Sequence, residues 1–252
     1  SFDRSIEPDY GNTPTLSVPK IYKDSLTNGL KIYGINNDEV PLVNFNLSIE
    51  GGQLMDSFDK TGLAYLTASL LNKGTKDKTV DELENAIKEL GASLYVSCRS
   101  ENITISGSTL SKNYNKTMLL VEEMLLKPRF DINEFELLKK AISSSIRQQK
   151  ANPYSIANNE FNKLVFGEKN IRSKNILGTI ESLESITIDD VKSFYYSYFS
   201  PSISKILVVG NIDKNDIVKS FKSIESNWLS KKVKIPNYSN PEKLKKSKVY
   251  FI

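Results

Sequence analysis

The sequence has 252 residues, 39% of them hydrophobic and 25% charged, an ordinary balance for a globular chain long enough for one large domain or two small ones. It contains no histidine, which excludes from this chain Ser-His-Asp and Cys-His nucleophile systems, H-E-x-x-H relatives and every histidine-based zinc site. The net charge of +4 is uneven: seven lysines against Glu242 give a local +6 between Ser230 and Ile252, leaving −2 for everything before, so the body carries no basic excess that would point to nucleic acid.

In chain order, residues 1–19 contain Pro8, Pro14 and Pro19 and read as an extended arm. Residues 20–26 and 30–35 form a hairpin signal around Asn28-Gly29, a pair that supplies the positive φ values of a tight turn. Val43, Phe45, Leu47 and Ile49 alternate with Asn44, Asn46 and Ser48, predicting a third strand with one wet face, ended by Gly51-Gly52. A helix over 61–72 presents Leu63, Leu66 and Leu70 and stops at Gly74. Thr79-Val80-Asp81-Glu82 is a capping box, and its helix runs to Gly91. Strands follow at 93–98 and 102–108, then helices at 112–126, 133–150 and 154–165, broken by Pro128 and Pro153. After a loop around 169–179, Thr187 caps a further helix, 204–209 is a short buried strand, and a last helix starts at Asp213.

Six strands and about seven helices, grouped rather than strictly alternating, predict an α+β fold: a mixed, largely antiparallel sheet with helices on one face. No G-x-G-x-x-G or P-loop supports nucleotide binding. No apolar run approaches the roughly 18 residues of a membrane span, and the first residues do not open a signal peptide. Cys98, the single cysteine, has no internal disulfide partner, and its alternating run 94–98 makes it a small buried apolar side chain rather than a reactive thiol. It leaves the compartment open, exported bacterial or cytosolic alike. Lysines 231, 232, 234, 243, 245, 246 and 248 share their stretch with Pro236 and Pro241 and read as a solvated connector, and Val249-Tyr250-Phe251-Ile252 reads as the start of a strand belonging to a further domain.

The stretch 62–75, G-L-A-Y-L-T-A-S-L-L-N-K-G-T, resembles the signature helix of the insulinase (pitrilysin) family of zinc peptidases, written there G-L-A-H-F-L-E-H-M-L-F-K-G-T. The frame is intact and the chemistry inside it is replaced. In the family's H-x-x-E-H motif two histidines bind zinc and the glutamate activates water. Tyr65 stands at the first histidine position, Ala68 at the glutamate and Ser69 at the second histidine. The family's third ligand, a glutamate on a later helix, registers on Pro153 at Ser145. Further likenesses are the L-T-N-G-L-K opening at 26–31, Glu50-Gly51-Gly52, Leu90-Gly91-Ala92, Pro128-Arg129-Phe130, and Val208-Val209-Gly210-Asn211 with Trp228 beyond, so the similarity covers about 20–229.

The resemblance implies a processing-peptidase-like fold in an inactive domain of a multi-domain bacterial protein: an arm at 1–19, the domain at 20–229, and a basic linker with the first strand of a next domain at 230–252. It implies no catalytic residue and no metal in this chain, zinc being held by a sibling catalytic domain. The implied role is a wall of a peptide-degrading chamber, with sibling domains or a homologous catalytic subunit as partners and peptide as substrate. Its alternative is a scaffold subunit without proteolysis. The run Ser143-Ser144-Ser145 beside Lys139 and Lys140 raises a Ser-Lys dyad, against which stands the commonness of polar residues at such helix spacing.

Overall fold

A computed structural model describes residues 19–238 together with Ser5, Gly11, Pro241, Lys246, Val249 and Tyr250. The strands are β1 (Tyr22–Ser25), β2 (Lys31–Asn36), β3 (Leu42–Glu50), β4 (Ser93–Cys98), β5 (Asn102–Leu110) and β6 (Ser204–Gly210), and they form one sheet in the order β1-β2-β6-β3-β5-β4. Only the β2–β6 pairing is parallel; β6 lies antiparallel to β3, with Val43 opposite Gly210 and Leu47 opposite Ile206. Alternation decides the faces. Ile32, Phe45, Leu47, Ile105, Ile206 and Val208 point into the core, while Asn44, Asn46, Thr104, Ser106 and Leu207 lie on the other side.

The helices are α1 (Leu63–Leu70), α2 (Val80–Glu89), α3 (Tyr114–Leu126), α4 (Ile132–Lys150), α5 (Pro153–Phe166), α6 (Ile180–Ser185), α7 (Ile188–Tyr198), α8 (Lys214–Ser220) and α9 (Lys222–Asn227). The α+β architecture expected from the grouping of elements is the one observed. Both expected capping residues work: Thr79 accepts from Glu82 N and Thr187 from Asp190 N, each with the reciprocal carboxylate contact. At the hairpin, Gly29 takes φ 95°, and the Asn28 amide reaches the carbonyls of Ile224 and Trp228, so the first turn of the chain caps the end of α9.

Three boundaries differ from expectation. The helix starting at 112 opens with a 3-10 turn, Ser111–Asn113, before α3. The segment after Thr179 is helical as α6, capped by Thr179 on Ser182 N. The last helix is two short ones that break at Phe221, which is fully buried and bends the chain so that Ile217, Phe221 and Ile224 all reach the core. Most of the arm at 1–19 and the residues Phe251 and Ile252 lie outside the described residues; Val249 and Tyr250 are exposed and belong to no strand.

Candidate functional site

Helix α1 is built from both ends inward. Its N-cap, Gly62, takes φ 96°, and a Cβ there would lie 2.6 Å from the Leu177 carbonyl oxygen, so only glycine fits. With no side chain at the cap, the first-turn N–H groups are met from elsewhere in the fold. Asp56 accepts from Gly62 N and Ala64 N, each at 2.8 Å. The Ser182 hydroxyl donates to Thr61 O at 2.8 Å, tying this end to α6, and Lys60 reaches Asp190 of α7 at 2.5 Å. Burial pushes the Asp56 carboxyl up to about 7, against the two N–H bonds that favour its charged form.

Along the helix, Leu63, Ala64, Leu66, Thr67, Ala68 and Leu70 are buried. Ala68 is 1% exposed. Tyr65 is half-buried and packs against the core, and the Ser69 hydroxyl donates to Tyr65 O at 2.8 Å. The partner helix α4 packs against α1 and buries Phe135, Ile142 and Ile146. Ser145, between the last two, is exposed, and its hydroxyl donates to Ala141 O at 3.1 Å within its own helix.

The four positions therefore divide. Tyr65, Ala68 and Ser69 share α1, while Ser145 stands on the wet face of α4 with its hydrogen bond spent locally. Two serines and a phenol do not fit zinc: alcohols keep their protons at neutral pH, and both serine hydroxyls are committed to backbone carbonyls. Among the described residues no group of three His, Cys, Asp or Glu side chains converges.

The serine-lysine arrangement is not made either. Lys139 donates to the carbonyls of Glu184 and Ile186, at 3.3 and 2.9 Å, and no hydrogen bond joins it to Ser143 or Ser144 among the described residues. With its ammonium turned onto the α6 end, Lys139 is not positioned against either serine. Cys98 is buried at the end of β4, and burial pushes its thiol up, so its thiolate is disfavoured. Asp56 is the residue that sequence reasoning missed. It stands six residues before the N-cap Gly62, outside any capping pattern of adjacent residues.

Known proteins match most of this chain. A family profile described as insulinase, peptidase family M16, matches residues 31–178, and one described as peptidase M16 inactive domain matches 185–252. The zinc protease YmxG of Bacillus subtilis is 25% identical over 224 residues, covering 88% of this chain and 54% of the relative. A Helicobacter pylori protein named non-peptidase homolog YmxG is 25% identical over 192 residues, covering 76% and 41%. Among solved structures, a peptidase M16 inactive domain from Pseudomonas fluorescens superposes with a TM-score of 0.82 at 22% identity, over 88% of this chain and 55% of that one. The chain spans about half the length of the curated relatives it matches.

Proposed function

The chain belongs to the insulinase family, peptidase family M16, and from that premise we propose that it is a non-catalytic domain forming one wall of a peptide-degrading chamber and supporting a zinc-bearing sibling. In this reading Tyr65, Ala68, Ser69 and Ser145 occupy the positions of the family's two histidines, general-base glutamate and third ligand. Zinc then belongs to a sibling domain or a homologous catalytic subunit, whose substrate is peptide. The domain proper is 20–229, and 230–252 leads to the next one.

The observation that carries the reading is helix α1. Its end is capped by the buried Asp56 and it packs on α4 and α7, while the positions that would do chemistry hold a half-buried phenol, a buried methyl and two serine hydroxyls bonded within their own helices. Selection that preserves a fold without its reactive groups fits a domain valued for its surfaces. A peptide is then held between two walls, and positioning rather than chemistry is this chain's contribution.

Peptidase activity of the zinc-bearing half, measured with and without a partner half containing this chain, tests the proposal. Complex formation with a gain in cleavage is expected. Full activity of the catalytic half alone, with no complex, would replace the wall reading by the scaffold reading, which draws on the Helicobacter pylori relative named a non-peptidase homolog. A second check is metal content: the dialysed chain should hold far less than one zinc, and stoichiometric zinc at Tyr65, Ser69 and Ser145 would overturn their assignment.

A further inference from the structure

Helix α5 poses a problem that the chamber role does not absorb. None of its residues is buried, and it is held by the Asn152 cap, Pro153 and contacts with α4 and the segment after Asn170. Beneath it lies a cavity of about 480 Å³, and a second of about 460 Å³ on its other flank shares Gln149, Asn159, Lys174 and Asn175 as walls. Both fall in the size range of small-ligand sites.

Carboxamides are the commonest groups lining the first cavity. Asn158, Asn159 and Asn162 line it from α5, and Asn158 and Asn162 are one turn apart on a single face. None of the three makes a hydrogen bond among the described residues. The carboxamides of Gln149 and Asn175 close the floor on each other at 2.6 Å, and Gln53 is fixed on Lys174 O at 2.8 Å. Of the charges around the cavity, Arg172 pairs with Glu101 at 2.6 Å, while Lys174 lies over the Phe58 ring at 5.8 Å with no carboxylate partner among the described residues. Tyr154 stands at the rim, 80% exposed. Asparagine is a weaker helix former than alanine, so three within five residues work against the helix that carries them.

We propose that this cavity is a binding site for a neutral saccharide of one or two rings. A carboxamide both donates and accepts, as a sugar hydroxyl does, and three uncommitted ones beside an exposed aromatic face match a ring with a polar edge and an apolar face. With Arg172 paired to Glu101, Lys174 is the cation of the lining left to meet an anion, and the carboxamides outnumber it, so a neutral ring uses more of the wall than an anionic one. An extended peptide is disfavoured for a different reason. The walls are α4, α5, the 172–176 segment and the β4–β5 turn, none of them a strand edge onto which a peptide backbone could pair. The site stands independently of the chamber role.

The test is a titration of the isotope-labelled full chain with cellobiose, maltose and chitobiose, following side-chain amide resonances by NMR. At least one disaccharide should saturate shifts of Asn158, Asn159 and Asn162 at roughly millimolar concentration, and Tyr154→Ala and Asn162→Leu should each weaken binding about tenfold. Both substituted residues lie outside the core, so the melting temperature should hold. The proposal is overturned if no sugar saturates, if affinity is unchanged in both variants, or if a Gly-Asn-Ser-Gln-Gly-Ser peptide saturates the same resonances at equal or lower concentration.

Discussion

Helices α1 and α5 are near neighbours with opposite economies of surface. In α1 six of eight residues are buried, and even the hydroxyl of Thr67 is folded onto its own backbone at Leu63 O. In α5 none of fourteen is buried, and Tyr154, Ile156, Phe161 and Leu164 face solvent. The first helix is fixed by what surrounds it, so its sequence is constrained by packing whether or not it does chemistry. The second is constrained by almost nothing within the chain, so the residues it keeps point outward to something else.

The widest gap should appear on truncation. Leu66→Ala, at a fully buried position, should cost about 3–4 kcal/mol in urea unfolding, and a cost under about 1 kcal/mol would mean α1 is loosely packed after all. Ala68→Glu places a carboxyl where there is room for a methyl. A loss of about 3 kcal/mol is expected, a fall of roughly 6–12 °C in melting temperature. An unchanged melt would reveal an open cleft beside α1.

Asp56 sharpens the contrast through pH. Its folded carboxyl titrates near 7, above the unfolded value of about 3.9, so its contribution to stability is fully present below pH 4 and is lost as pH rises through 7. The stability of the wild-type chain relative to Asp56→Asn should therefore fall by about 2–3 kcal/mol between pH 5 and 7.5, measured by paired denaturant titrations. A difference that stays flat would place the carboxylate in contact with water. The smallest effect belongs to α5: Phe161→Ser should change stability by no more than about 0.5 kcal/mol. A loss above about 2 kcal/mol would break the comparison by showing that α5 is covered.

What could be read from the sequence was whatever depends on near neighbours. Alternation gave the strands and their inner faces, and the box at Thr79-Glu82 and the cap at Thr187 gave two helix starts. Helix α6 escaped because its cap pairs Thr179 with Ser182, a weaker signal than an acidic partner, and because so short a helix has almost no periodicity. The break at Phe221 escaped because its cause is burial, which periodicity cannot distinguish from a continuous helix. At the site, the identities of Tyr65, Ala68, Ser69 and Ser145 were visible, but not that α1 is sealed while Ser145 is wet. The cap of α1 could not be found by any rule about adjacent residues, since Gly62 has no side chain and Asp56 reaches it through the fold.

The slot taken by β6 has a consequence for how the chain comes to be folded at all. As the protein emerges from the ribosome, β1-β2 and β3-β5-β4 should form two ribbons with no hydrogen bond between them, because the strand that joins them, Ser204–Gly210, is encoded about 160 residues after the second ribbon begins at Leu42. Until then β2 and β3 each present a bare edge, the state most exposed to wrong pairing. The closing contacts are of long sequence separation, which makes the final step slow. Strands from both family-profile ranges, β2 and β3 from 31–178 and β6 from 185–252, thus share one sheet, and a polypeptide ending just before Ser204 should accumulate as aggregate rather than as a smaller domain.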